Sequence, residues 1–217
     1  MAALLATATA FTLGCAPNGE PSAVVGIVIH DSCDPGIEVG SGALVAPGLV
    51  LTSAHVVAGA TTIEVVRDGE SAQGRIVGFD PNMDLAYVAV EGMSGLPFSV
   101  SSNGVGAGAE GVAYVVRDGV VVELPVTVLR RITIRTEDVY AEGETLRPGF
   151  ELDAEVELGD SGAAVVIDGR LVGVVWARSR QTDDRSWAID PDRAGALIDE
   201  QLSTGMIGAD IDLTRCR

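Results

Sequence analysis

Between Val24 and Ile189 the chain breaks into short runs of Val, Ile, Leu and Ala. A turn signal stops each run before it is long enough for a helix. The first set is Val24–Ile29, Ala43–Ala46, Leu49–Thr52, Thr62–Val66, Gln73–Phe79 and Leu85–Val90. Pro47-Gly48, Asp68-Gly69 and Asp80-Pro81-Asn82 punctuate it. A soft segment rich in Gly and Ser, Ser94 to Gly108, follows. A second set then runs through Val112–Val116, Val120–Leu124, Val126–Ile134, Ala163–Ile167, Leu171–Ala177 and Trp187–Ile189, with turns at Asp118-Gly119 and Asp168-Gly169. β-branched runs of this length, cut by such dipeptides, read as antiparallel strands. The expectation is an all-β fold of two packed six-stranded antiparallel β-barrels, the first over about residues 23–100 and the second over about 109–190.

Beyond Ile189 the pattern changes to a helical one. Asp190 is suited to cap a helix, Pro191 to its first position and Asp192 to its positive end. Ala194, Leu197, Ile198 and Leu202 form one apolar stripe, and Gly205 can end it. This predicts a C-terminal α-helix over about 191–203.

Composition narrows the class. The 217 residues are 47% hydrophobic and 21% charged, enough for a substantial core and unlike a disordered chain. The 27 Gly and 9 Pro suit many tight turns. The net charge is −17, and every basic residue other than the two histidines is Arg. Such a surface repels a phosphate backbone, so nucleic acid is not an expected partner.

The first residues read differently from the rest. Ala2 to Gly14 carry no charge and resemble the apolar part of a signal peptide, although no basic segment precedes them. Leu13-Gly14-Cys15 is similar to a bacterial lipobox, with Thr12 departing from it, which makes Cys15 a lipidation candidate and a membrane tether an expected partner. Ordinary secretion and retention of an uncleaved anchor are the alternatives. Residues 1–22 are therefore read as a signal or lipoprotein segment and linker, and the body, 23–217, as lying in an oxidising, extracytoplasmic compartment. Of the three cysteines, Cys33 and Cys216 are left to pair if Cys15 takes lipid; three unrelated thiols are the other reading.

Three segments carry chemistry. In Gly159-Asp160-Ser161-Gly162, flanking glycines allow a sharp turn that aims the amides of Gly159 and Ser161 at one spot, as an oxyanion requires. Alone, such a tetrapeptide arises by chance in a glycine-rich chain. Leu51-Thr52-Ser53-Ala54-His55-Val56-Val57 places a histidine after an apolar strand, where a core or loop histidine is the plain alternative. The other histidine, His30, lies beside Asp31 and reads as a surface residue. Asp84 opens the apolar run Leu85-Ala86-Tyr87-Val88-Ala89-Val90, a place where an Asp is often only a turn residue. Serine needs a base to take its proton, and the base needs a carboxylate to orient it, so the three together have a meaning that each lacks alone.

In their order and immediate contexts these segments resemble the trypsin/chymotrypsin-like serine proteases, with the short spacings of the compact HtrA-type bacterial members. Asp138-Val139-Tyr140, Leu171-Val172-Gly173-Val174-Val175 and a cysteine near each end of the body are similar to mycobacterial periplasmic members. The resemblance implies a serine endopeptidase acting on protein or peptide substrates, with His55, Asp84 and Ser161 as catalytic triad and Gly159 and Ser161 forming the oxyanion hole. It implies no metal and no cofactor. It places Glu155, Trp176, Arg178 and Trp187 around the specificity pocket, and it makes a Cys33–Cys216 disulfide the expected pairing. A catalytically silent binding module on the same fold and an HtrA-like quality-control protease are the rival readings. The stretch after Ser161 is too short for the remaining strands and a PDZ domain as well. Two departures stand out. Ala163 and Ala164 replace the Gly-Pro that usually closes the serine motif. Trp176 occupies the place where digestive relatives carry a serine that supports the triad carboxylate.

Overall fold

The computed structural model describes residues 21–30, 38–204 and 215. Cys15, Cys33 and Cys216, and with them the lipid and disulfide expectations, lie outside the described residues, as does Gly205.

The first six strands are β1 (Val24–His30), β2 (Glu38–Ala46), β3 (Leu49–Thr52), β4 (Thr62–Arg67), β5 (Glu70–Asp80) and β6 (Leu85–Val90). They close a barrel in the order β1-β2-β3-β6-β5-β4. A short strand, β7 (Ser99–Val100), lies in the connection. It is followed by β8 (Glu110–Arg117), β9 (Val120–Glu137), β10 (Glu144–Asp153), β11 (Ala164–Ile167), β12 (Arg170–Arg178) and β13 (Arg185–Ile189). These run β11-β8-β9-β10-β13-β12, and the β11–β12 pairing closes the ring, with β7 added parallel to β12. The antiparallel two-barrel expectation holds.

Three hairpins share one device. Val65-Val66-Arg67-Asp68-Gly69, Val115-Val116-Arg117-Asp118-Gly119 and Val165-Val166-Ile167-Asp168-Gly169 each end a strand and turn it. Asp68, Asp118 and Asp168 sit at φ of 54°, 51° and 51°, and the glycine after each is also at positive φ. Two consecutive left-handed residues match the right-handed twist of the flanking strands, which is why Asp-Gly closes them.

Three elements differ from the sequence expectation. The two runs expected on either side of Pro125 are one strand, β9. Before Thr127 this strand pairs with β8 and not with β10, so the missing N–H of Pro125 falls on an unpaired edge. β10 has no counterpart among the expected strands. The C-terminal helix is broken into α2 (Pro191–Ala194) and α3 (Ala196–Thr204) at Gly195. Asp190 stands at the N-cap but makes no side-chain cap bond. Its carboxylate is drawn instead to Arg131 and Ser102.

The cores join where the barrels meet. Side chains inside the first barrel pack continuously with Ala164, Val166, Leu171, Val174 and Ile189 of the second. A separate cluster around Phe150, Leu152, Val165 and Val175 fills the second barrel.

Candidate active site

The histidine motif builds the junction before it presents the histidine. Thr52 ends β3 and donates through Oγ1 to the Ser41 carbonyl at 2.7 Å. Ser53 donates through Oγ to the Val175 carbonyl of β12 at 3.1 Å, so its hydroxyl is spent on the other barrel rather than on capping the helix it precedes. That helix is α1 (Ala54–Val57), a single turn carrying His55. Thr52, Ser53 and Ser41 are fully buried. Each is hydrogen-bonded, as buried hydroxyls must be.

Asp84 follows a turn held by its own neighbours. Asn82 and Met83 donate their amides to Asp80 Oδ1 at 2.9 and 3.0 Å. Asp84 itself takes φ 57°, a left-handed conformation that costs a non-glycine residue about 1 kcal/mol or more. Backbone strain of this kind gathers at functional positions. The carboxylate grips His55 twice: the His55 amide donates to Oδ1 at 2.8 Å, and Nδ1 lies 2.9 Å from Oδ2. The Ala54 amide donates to the Asp84 carbonyl at 3.1 Å. Asp84 is 2% exposed. Burial pushes its carboxyl up, but the charge of His55, the hydrogen bonds from His55 and the charge of Arg147 together hold it below the ordinary carboxylate value.

Ser161 arrives from the second barrel, on the loop between β10 and β11. Its carbonyl accepts from the Ser41 amide at 2.8 Å, and the Ser41 hydroxyl accepts from the Val116 amide at 2.9 Å. Gly162 donates to the Val175 carbonyl at 2.9 Å. A Cβ on Gly162 would stand 2.1 Å from the Ser41 carbonyl oxygen and 2.2 Å from Thr52 Oγ1, so only glycine fits there. Gly40 is wedged in the same way: its Cβ would meet Val56 Cγ1 at 2.5 Å and the Ser161 carbonyl at 3.2 Å. The serine loop and the histidine helix thus approach to within the width of one glycine. The bend of the loop is carried by Gly159 at φ 96° and Gly162 at φ 86°.

Asp160, beside the serine, is 1% exposed, and Arg117 holds it. Nε and Nη2 of Arg117 reach its two oxygens at 3.0 and 2.7 Å, a fork-to-fork pairing. The Glu157 amide adds a bond to Oδ2 at 2.7 Å, and Arg117 Nη1 pairs with the Glu157 carboxylate at 3.0 Å. The turn that includes Gly159 is therefore pinned from β8.

The residues expected around the specificity pocket divide. Trp176, Arg178 and Trp187 come together on β12 and β13, where Ala177 faces Trp187 and Arg178 faces Ser186. Glu155 is exposed on the loop after β10. That loop is tied to the same end of the sheet, because the Ala154 amide donates to the Asp184 carbonyl at 2.9 Å. Ser41, Arg117 and Arg147 were missed in the sequence. Ser41 lies in a Gly-Ser-Gly stretch with no distinguishing signal. His30 is paired with Glu64 at 3.0 Å, far from this chemistry in role. Among the described residues no cluster of three or more His, Cys, Asp or Glu is placed to hold a metal ion.

Residues 40–174 match the model of the trypsin-like peptidase domain. The chain belongs to that family. Among trypsin-like relatives, serine protease Rv3671c of Mycobacterium tuberculosis (strain H37Rv) is 29% identical over 160 residues, covering 72% of this chain and 40% of that protein. Serine protease PepD of the same organism is 33% identical over 195 residues, covering 77% and 42%. The chain thus spans about two fifths of the length of these curated relatives. The crystal structure of Rv3671c protease in its active form matches with a TM-score of 0.79 at 24% identity, over 90% of this chain and 86% of that one. It shares the two-barrel trypsin-like fold.

Proposed function

We propose that this chain is a serine endopeptidase that hydrolyses peptide bonds by acyl transfer. Ser161 attacks the substrate carbonyl while His55 takes its proton. The tetrahedral oxyanion is met by the amides of Gly159 and Ser161. His55 then gives the proton to the leaving amine, and water, deprotonated by the same His55, releases the acyl group and restores the serine. Asp84 orients His55 and stabilises its charged form. The observation that supports this most is the double grip of Asp84 on His55, set opposite a glycine-bent serine loop whose carbonyl is fixed by Ser41. Protein or peptide chains are the substrates, entering along Trp176, Arg178 and Trp187, with Glu155 at the rim. The extracytoplasmic setting, with lipid on Cys15 as its tether, rests on the sequence alone.

A fluorophosphonate probe tests the reading, because it labels a serine only where a base activates it. Labelling is expected at Ser161 and lost in Ser161→Ala and His55→Ala. Asp84→Asn is expected to lower peptidase turnover by about 10⁴-fold. A folded wild-type protein that neither takes the probe nor cleaves any member of a broad peptide library is a silent binding module instead.

A further inference from the structure

Arg147 stands on β10 of the second barrel and reaches the acid of the first. It is 1% exposed, the largest side chain buried that deeply among the described residues. Its Nη1 lies 3.5 Å from Asp84 Oδ2, the same oxygen that faces His55 Nδ1. Nε donates to the Asn82 carbonyl at 2.6 Å, and Nη2 to the carbonyls of Glu137 and Pro81 at 3.0 and 3.3 Å. The Trp176 ring covers the guanidinium at 5.3 Å. The cation is therefore locked between β9, β12 and the turn that carries Asp84. Trp176, which by resemblance takes the place of the serine that supports the acid in digestive relatives, thus packs on a cation that contacts this acid.

We propose that Arg147 is a positioning residue for the triad: its buried cation keeps the Asp84 carboxylate ionised while His55 is the neutral base, and so holds activity open on the acid side. This rests on the protease reading above. A buried carboxylate facing a neutral imidazole is costly unless another cation compensates it. His55 and Arg147 are the cations that act on Asp84, so when His55 is neutral the compensation falls to Arg147. Without it the His55–Asp84 pair binds a proton more readily, because the protonated pair is its own compensated state.

The surrounding charges do not substitute for it. Helix α1 packs on β1, β2, β5 and β6. From β6, Tyr87 is pushed up to about 12 by burial and the charge of Asp199, and stays neutral. From β5, Asp80 faces both Arg147 and Asp84, and its negative charge opposes Arg147; burial first, and then the charge of Asp84, push its carboxyl up. Glu70 and Arg75 of β5 are exposed. From β1, His30 is engaged with Glu64, and β2 contributes Glu38 at its first position. On the second barrel, the Glu137 side chain beside Arg147 is exposed.

The experiment is the rate of fluorophosphonate labelling of Ser161 as a function of pH, in wild type, Arg147→Met, Arg147→Gln and Arg147→Lys. Both neutral variants are expected to move the acid limb to higher pH by about 1–3 units. Arg147→Lys keeps the charge and is expected to keep the limb, whatever its maximal rate. A merely structural role lowers the whole curve without moving it. A folded neutral variant with the wild-type limb overturns the proposal, as does an Arg147→Lys limb displaced as far as that of Arg147→Met. Near-ultraviolet circular dichroism establishes folding. If neither neutral variant folds, Arg147→Lys decides alone: an unmoved limb supports the proposal and a displaced one overturns it. Absence of labelling in the wild type at every pH strikes the protease reading rather than this one.

Discussion

Asp160 adjoins the candidate nucleophile Ser161 in the chain, and two charged bonds and an amide hold it. A buried carboxylate next to a proposed nucleophile is a liability unless it fixes something, and here it fixes the turn from Glu157 to Ser161. Arg117 supplies the counter-charge from the end of β8, within a hairpin whose Arg-Asp-Gly sequence reads as an ordinary solvated turn. Arg117→Met is expected to reduce kcat by about 10²-fold with KM little changed, because the proposed oxyanion amides of Gly159 and Ser161 lose alignment while the strands of the proposed pocket stay in place. Arg117→Lys is expected to fall between, since an ammonium cannot span both oxygens. Steady-state kinetics normalised by active-site titration measure this, and an Arg117→Met enzyme with wild-type kcat refutes the role. The three triad candidates were legible because each carries its own local context. Arg117 and Arg147 were not, because an arginine in a turn or a polar strand gives no sign of pointing inward.

At the scale of elements, strands were legible where apolar β-branched runs met a turn dipeptide. Leu49–Thr52 and Leu85–Val90 stand at those bounds, and most other runs grew by a residue or more at the ends. β10 escaped because Glu144-Thr-Leu-Arg-Pro-Gly-Phe has charges, Pro and Gly where a central strand usually has none. Its place between β9 and β13 is fixed by tertiary pairing, which overrides local propensity. The helix starts at Pro191 after Asp190, as expected, but the side-chain cap bond does not form. Asp190 has the right type for a cap, but Arg131 offers a charged bond, and Ser102 Oγ donates to the same carboxylate at 2.9 Å. Arg131 also donates to the Ser102 carbonyl at 2.8 Å and stacks on Phe150 at 4.6 Å, so one side chain binds the inter-barrel connection, β9, β10 and the start of α2. Arg131→Met is expected to leave the fully buried Asp190 with only the longer, exposed pairing to Arg193 at 3.7 Å, at a cost of about 3–5 kcal/mol. For a chain of this size that lowers Tm by roughly 6–20 °C, measurable by scanning calorimetry. A variant within a degree or two of wild type contradicts the argument.

For the whole molecule, two electrostatic effects act in opposite directions with pH. The net charge of −17 repels itself at neutral pH, and the repulsion shrinks as pH falls towards the pI of about 4.3. Against this, some carboxylates are held below their ordinary values. Glu151 is lowered by its hydrogen bonds from Arg185 and Arg130, and Asp84 by His55 and Arg147 against the cost of burial. A depressed carboxyl adds stability that is present above the unfolded value, near 4, and is lost as pH falls through the folded one. The expected Tm is therefore flat or rising from pH 7 to about 5 and falls steeply below about 4. Sodium chloride separates the two effects, because screening acts on the diffuse surface charge far more than on buried pairs. Raising it from about 0.05 to about 0.5 M is expected to raise Tm at pH 7, where repulsion is large. Near the pI the same salt step should have little effect, and that measurement also removes any general action of the salt on apolar burial. Equal salt-induced rises at the two pH values would assign the effect to burial, and a fall at pH 7 would mean that attractive surface pairs outweigh the excess charge.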